Sequence, residues 1–349
     1  MPPARLLATF VHLSDLHIGL PLSRAGAGLL DARVERYIRW HRHFDGLLGH
    51  HFDALEDIED FLLLLRKAGE TFRLVVTGDL TRNGDPAQFA AASVFLGNRL
   101  PPKYGGVGLA QADWMSRAIP GNHDHWPGNN RPLGGPTAAL DLFFGHLPAR
   151  TTLRLPDGTD LEFIAVDSDA DVAPVSLDRL RARGRFTSQL AALRQRAAGA
   201  APRPGVVRVL LLHHSIRHRD PGRWGLLEID SGSRAPLDEF LVRERVSVVL
   251  TGHVHQPYLP TLPITWDGTT RRILEACCGT SATRDAHPGH WNLPPGRRLE
   301  PNTLLLHRVY AEAGGLRWRT WVRTRLAGTG FGTPPDADAE PPVADHQLT

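Results

Sequence analysis

Leu7-Ala8-Thr9-Phe10-Val11-His12-Leu13-Ser14-Asp15-Leu16-His17 decides how the rest of the chain is read. Its first seven residues are mostly apolar and rich in β-formers, the pattern of a buried strand. Asp15 and His17 follow two positions apart, so on an extended chain they project to one side. A carboxylate and an imidazole there make half a metal site. Open α/β sheets take their ligands at the C-terminal ends of such strands.

Five more apolar runs have this form: 72–77, 161–166, 206–212, 246–251 and 273–276. Helical spacing lies between them. Residues 53–67 place Leu55, Ile58, Phe61, Leu62 and Leu65 on one face. Residues 177–196 read as a second helix, and 86–95 as a third with Pro86 in its first turn. Alternation of strand and helix predicts an α/β sheet protein. Residues 303–310 and 316–324 flank Ala313-Gly314-Gly315, which predicts a hairpin over about 303–324. Its Trp318 and Trp321, if exposed, would offer an interface.

The 19–52 stretch is of another kind. Tyr37, Trp40, Phe44 and Phe52 alternate there with Arg33, Arg36, Arg39 and Arg42. An arginine–aromatic surface for nucleic acid is one reading. An amphipathic helix that packs Leu30, Val34, Tyr37 and Ile38 and solvates its basic face is the simpler one, a helical insertion over about 20–55.

Composition excludes several classes. The chain has 349 residues, 42% hydrophobic and 22% charged, which is ordinary for a folded globule and unlike a disordered chain. Two adjacent cysteines, Cys277 and Cys278, cannot build a disulfide framework, so a cytoplasmic location is expected. Apolar runs such as 61–65 and 209–212 are far too short for a membrane span, and the N-terminus makes a poor signal peptide. Net charge is +3, and the only lysines are Lys67 and Lys103. The arginines scatter among acids, the mark of a compositional bias rather than of a nucleic-acid face. Residues 334–349 hold four prolines and four acids with no Lys or Arg, and 327–349 is expected to be a disordered tail. Residues 1–326 are expected to form one catalytic domain.

The polar residues at the strand ends gather the chemistry. Gly78-Asp79 follows the second strand. Pro120-Gly121-Asn122-His123-Asp124 comes next, then His213-His214, and last Gly252-His253-Val254-His255, again an i, i+2 pair. Each piece alone is weak; five in order at predicted strand ends are not. The set contains no cysteine, so it is not a structural zinc site. Two carboxylates, an amide oxygen and four imidazoles exceed one tetrahedral ion. They suit two divalent ions, with Mn, Fe, Zn, Co and Ni all compatible. A pair of ions about 3.5–4 Å apart serves in-line displacement at phosphorus.

Asp15-Leu16-His17, Gly78-Asp79, Gly121-Asn122-His123-Asp124, His213 and Gly252-His253-Val254-His255 together resemble the signature of the calcineurin-like metallophosphoesterase superfamily. Leu13-Ser14-Asp15-Leu16-His17, Thr77-Gly78-Asp79-Leu80-Thr81 and His213-His214 are most similar to its cyclic-nucleotide phosphodiesterase-like branch. The resemblance implies an α/β (α+β) fold, a four-layer αββα sandwich of two mixed β-sheets flanked by helices. It implies that Asp15, His17 and His255 bind one metal, that Asn122, His213 and His253 bind the other, and that Asp79 bridges them. A hydroxide held by the metals would attack phosphorus. His123 would face the substrate and protonate the leaving oxygen, with Asp124 able to orient it. Either His213 or His214 could be the ligand; His213 comes directly off the apolar strand. His125 and Trp126 fit substrate contact and surface packing equally.

The expected activity is phosphodiester hydrolysis of a small substrate, a nucleotide among the candidates. A phosphomonoesterase on the same metals is the alternative. A nuclease fits less well, because few residues remain after 282 for a capping domain. A non-catalytic scaffold fits least, since none of the seven ligand positions is lost.

Overall fold

The N-terminal strand forms as β1 (Arg5–Leu13), and its side chains alternate between two cores. Phe10 faces one and Val11 the other. The computed structural model describes residues 4–20, 49–102, 106–197, 205–218, 226–283, 301–336 and 340–348. After β1 come α1 (Phe52–Lys67), β2 (Phe72–Thr77), α2 (Pro86–Gly97), a 3-10 turn (Trp114–Arg117) and β3 (Ala118–Ile119). The middle of the chain forms α3 (Ala138–Phe144), β4 (Ala149–Arg154), β5 (Asp160–Ala165), α4 (Leu177–Leu180), α5 (Thr187–Ala197) and β6 (Val206–Leu211). Then follow α6 (Ser231–Arg243), β7 (Val246–Thr251), β8 (Thr261–Trp266), β9 (Thr269–Cys277), β10 (Thr303–Glu312), β11 (Gly315–Thr324) and β12 (Ala344–Gln347).

Two mixed sheets of six strands result, ordered β12-β11-β10-β1-β2-β3 and β4-β5-β6-β7-β9-β8. β1, β2 and β3 run parallel, as do β5, β6, β7 and β9, while the outer strands pair antiparallel. The central strands of each sheet bury both faces. Phe10, Val75, Leu305 and Trp318 meet Phe163, Val209, Val248 and Leu250 between the sheets. Val11, Leu74, Val76 and Leu306 pack outward on α1 and α2, and Ile164, Leu210 and Val249 pack outward on α5 and α6. Burial on both faces is why these strands read as near-continuous apolar runs. This is the expected fold of two mixed sheets flanked by helices.

Several expectations need correction. The helix expected over 177–196 is two, because the chain turns between them with Ala182 at φ 46°. Trp318 and Trp321 are buried, so the hairpin offers no tryptophan interface; Trp318 stacks on Phe10 with centroids 5.8 Å apart. The tail is not uniformly disordered. Its Ala344–Gln347 segment pairs with β11 as β12, and Arg323 of β11 holds the Glu340 carboxylate at 2.8 Å. The open edge of β11 supplied unpaired backbone groups that a short polar segment could satisfy despite its composition. Residues 21–48 of the expected insertion lie outside the described residues. Among the described residues, no helix is long and apolar enough to cross a membrane.

Candidate metal centre

β1 and β2 from one sheet, and β6 and β7 from the other, end at a shared crevice. The loops that leave them are stitched across the gap. His213 Nδ1 donates to Thr77 O at 2.7 Å, the His253 amide donates to Asp15 Oδ2 at 3.0 Å, and the Gly252 amide donates to His213 O at 3.0 Å. Gly78 turns the chain at φ 96°, and a Cβ on it would meet the His213 ring 2.5 Å away. A Cβ on Gly121 would collide with the Asp79 carboxylate. Only glycine lets the loops approach this closely.

The backbone at the site is strained. Asp15, His17, Asp79, His253 and His255 all have positive φ, between 47° and 71°. Such left-handed conformations are costly for residues with a Cβ and concentrate at functional sites. Here they turn each side chain off its strand end into the crevice.

Seven side chains converge. His255 Nε2 lies 3.1 Å from Asp15 Oδ1. His17 Nε2 lies 3.5 Å from Asp79 Oδ2 and 3.8 Å from Asp15 Oδ1. On the far side of Asp79, His213 Nε2 is 3.4 Å from Asp79 Oδ2, 3.2 Å from Asn122 Oδ1 and 3.1 Å from His253 Nδ1. Asp15-His17-His255, His17-Asp79-His123 and Asp79-His213-His253 form three overlapping groups, each tight enough to hold a metal ion.

Hydrogen-bond accounting says what the crevice lacks. A carbonyl oxygen only accepts, so His213 Nδ1 carries a proton for Thr77 O, and His253 Nε2 carries one for Ala182 O at 3.0 Å. That leaves His213 Nε2 and His253 Nδ1 facing each other, with Asn122 Oδ1 and Asp79 Oδ2 beside them. All four can be lone-pair donors, and something positive must sit among them. In the metal-free chain a proton does so. Burial opposes it, but the Asp79 and Asp15 carboxylates hold the His213 pKa up at about 10. Both buried nitrogens of His17 lack any aligned hydrogen-bond partner. Buried polar groups left this way are costly unless a cation or water completes them. A divalent ion fits this donor set better than a proton, since oxygen and imidazole ligands suit such ions.

The two carboxylates stay ionised. Burial works against the charge on Asp15, but His255, His17 and His213 outweigh it and hold its pKa well below the usual carboxylate range. Asp79 is likewise depressed, by His213 and His123 against burial.

His214 is not part of the convergence. Its Nδ1 is bonded to Ser168 Oγ at 2.8 Å and its Nε2 to Ala182 O at 3.1 Å, so both nitrogens are used. His213, the neighbour that leaves the apolar strand first, is the one brought to the crevice.

His123 lies at the rim of the group. Its amide donates to Asp79 Oδ1 at 2.8 Å and its Nδ1 donates to Arg82 O at 2.7 Å, which leaves Nε2 to face the site. Asp124 does not orient it. Its carboxylate accepts from Leu80 N at 3.1 Å, Thr81 N at 2.8 Å, Thr81 Oγ1 at 2.7 Å and Gly121 N at 2.9 Å. Asp124 therefore clamps the loop after β2 to the loop after β3. Burial and the nearby Asp79 raise its pKa to about 6.

Sequence reasoning missed a neighbouring buried layer. His125 Nε2 bonds Asp167 Oδ1 at 3.0 Å, and Asp169 lies 3.7 Å from Arg179 and 3.5 Å from His214. The signal was present: Asp167-Ser168-Asp169 follows an apolar strand as the other motifs do. Ala182 O and Arg82 O were not readable at all, because a carbonyl's role leaves no mark on residue identity.

A sequence model of the calcineurin-like phosphoesterase family matches residues 8–257. The chain belongs to this family. It is a metallophosphoesterase, a hydrolase of phosphoric ester bonds. Among solved structures, this phosphoesterase is similar to the purple acid phosphatase PPD1 of yellow lupin (Lupinus luteus), at 13% identity and TM-score 0.50. That match covers 92% of this chain and 52% of the lupin protein. It is also similar to GAP50, the anchor in the inner membrane complex of Plasmodium, at 10% identity and TM-score 0.49, covering 99% of this chain and 89% of that one. At 13% identity the likeness to the lupin enzyme concerns the fold alone. No curated protein matches the phosphoesterase.

Proposed function

We propose that this phosphoesterase is a phosphodiesterase with two divalent ions, acting on a small substrate of the nucleotide type. The observation that carries the two-ion reading is the position of Asp79, whose carboxylate stands between His17 on one side and His213 on the other. Asp15, His17 and His255 would hold one ion. Asn122, His213 and His253 would hold the second, and Asp79 would touch both. The branch resemblance of Leu13–His17, Thr77–Thr81 and His213-His214 supports the diester preference. Free, buried Cys277 and Cys278 support a reducing, cytoplasmic location.

Bound ions of this kind supply Lewis-acid charge to a phosphoryl oxygen and activate the attacking water. The chain's own groups do the rest. Thr77 O and Ala182 O fix the tautomers that aim His213 Nε2 and His253 Nδ1 inward. Ser14 Oγ donates to Asp15 Oδ2 at 2.5 Å and holds that carboxylate in place. His123, with Nδ1 tied to Arg82 O, presents Nε2 to a substrate oxygen and is the candidate proton donor to the leaving group.

The test is hydrolysis of bis(p-nitrophenyl) phosphate and p-nitrophenyl phosphate by protein loaded in turn with Mn, Fe, Zn, Co and Ni. Diester turnover above monoester turnover is expected. The reverse ratio makes the protein a phosphomonoesterase, and no hydrolysis with any ion removes the hydrolase reading of the site.

A further inference from the structure

Trp126 is one of the largest fully buried side chains, yet it belongs to none of the three apolar cores. One of the rings it touches is His123. The two rings stack with centroids 4.3 Å apart and planes 16° from parallel. They sit in one turn, where the Trp126 amide donates to His123 O at 3.1 Å. On another side of His123 lies the His17 ring, nearly perpendicular, with centroids 4.6 Å apart.

A single hydrogen bond from Nδ1 to Arg82 O fixes one atom of the His123 ring. One hydrogen bond still tolerates a spread of distances and angles, so χ1 and χ2 can shift together and the ring can tilt. A flat aromatic face against it removes that freedom, because stacked rings lose contact when they tilt. We propose that Trp126 is the positioning residue for His123. The Arg82 carbonyl sets where Nδ1 lies, the indole sets the ring plane, and together they fix the direction of Nε2. The inference rests on the reading above in one respect, that His123 acts on substrate. A loosely held acid loses much of its effect, since misplacement by about 1 Å costs on the order of a hundredfold.

The experiment uses the full chain with Trp126→Leu, Trp126→Phe, His123→Ala and the Trp126→Leu/His123→Ala double variant. In metal-free protein, proton NMR reads the His123 ring signals, identified by their loss in His123→Ala. The wild-type signals should be displaced upfield by the indole ring current, and Trp126→Leu should abolish that displacement. In Mn-loaded protein with bis(p-nitrophenyl) phosphate, Trp126→Leu should lower kcat by about tenfold to a hundredfold. KM should stay within about twofold, metal content should be unchanged, and Trp126→Phe should recover most of kcat. In the His123→Ala background, Trp126→Leu should cost nothing further.

An unchanged kcat, a loss that persists in the His123→Ala background, or a fall in metal content overturns the assignment. Should circular dichroism show Trp126→Leu unfolded, Trp126→Phe carries the test. Its smaller kcat loss must vanish without His123, and an additive loss overturns the proposal. If the wild type hydrolyses no ester with any ion, the hydrolase reading falls by itself. The NMR readout then still tests the stacking on which the assignment stands, and wild-type signals without the upfield displacement overturn it.

Discussion

Two groups of histidines, one on β1 and β10 and the other in the loops that leave β1, β6 and β7, could hardly differ more. His12 and His307 lie on the regular backbone of β1 and β10. Trp318 Nε1 donates to His307 Nδ1 at 3.1 Å, and Thr320 Oγ1 reaches the same nitrogen at 2.8 Å. An indole nitrogen only donates, so His307 Nδ1 must accept, and its proton sits on Nε2. That proton points to His12 Nδ1 at 3.3 Å, and His12 Nε2 in turn donates to Thr77 Oγ1 at 2.8 Å. Every nitrogen has a partner, and burial keeps both rings neutral, His12 with a pKa of about 3. At the crevice His17, His253 and His255 sit at positive φ, His17 has no aligned partner, and His213 Nε2 and His253 Nδ1 need a proton or cation between them. Residue type is the same in both groups, and His17 and His253 are buried as His12 and His307 are. Satisfaction and strain separate a core histidine from a candidate ligand.

The largest break in that comparison comes from Asp79. Asp79→Ala removes the carboxylate between the two halves of the crevice. Activity should fall by about a thousandfold or more, and metal measured by plasma emission should be lost with it. Activity surviving with full metal content would deny Asp79 its place. His123→Ala should lower kcat by about a hundredfold to ten-thousandfold while metal content holds. Equal metal loss in the two variants would make His123 a ligand rather than a proton donor.

The contrast between the groups was only half legible in the sequence. The central strands read well, because burial on both of their faces writes long Val, Ile and Leu runs such as Val206–Leu211. Most motif residues stand out because they follow such a run, whereas Asn122 and His123 follow only the two-residue β3. His12 and His17, however, look alike as letters. What separates them is the backbone turn after Leu13 and the partners offered by β10 and β11, which lie about 300 residues away in sequence. Asp124 was misjudged for a similar reason. Adjacency to His123 suggested an orienting role, but its oxygens are consumed by four donors on two loops. The edge strands β4, β8 and β12 were missed because exposed strands alternate with polar residues and carry weaker apolar signals.

Stability offers a subtler probe, read in metal-free protein by urea unfolding. His307→Leu conserves bulk but leaves Trp318 Nε1, Thr320 Oγ1 and His12 Nδ1 without their partner. The loss should be about 1–3 kcal/mol. His17→Asn removes a ring whose nitrogens are unsatisfied and supplies a residue that accepts the left-handed backbone. It should destabilise less than His307→Leu, or not at all, while abolishing metal binding. If His17→Asn proves the costlier of the two, strain and missing partners are not what mark the site.

The smallest effect is a slope, and it has opposite signs in the two groups. His12 titrates ordinarily near 6.5 and at about 3 when folded, so between those values the unfolded chain takes a proton that the folded chain refuses. Its contribution is whole above pH 6.5 and drains away as pH falls toward 3. His213 is the reverse, raised to about 10, so its contribution is whole below pH 6.5 and is lost as pH rises through 10. Glutamine suits the test at position 12, since its oxygen can accept from His307 Nε2 while its amide donates to Thr77 Oγ1. His12→Gln should therefore flatten the acid limb of the stability profile by up to about 1.4 kcal/mol per pH unit and leave the alkaline limb alone. His213→Gln, in metal-free protein, should flatten the alkaline limb instead. Metal binding would erase this second effect, because a cation at His213 Nε2 displaces the very proton that titrates. An alkaline limb that persists unchanged after metal loading would mean that no ion reaches that nitrogen.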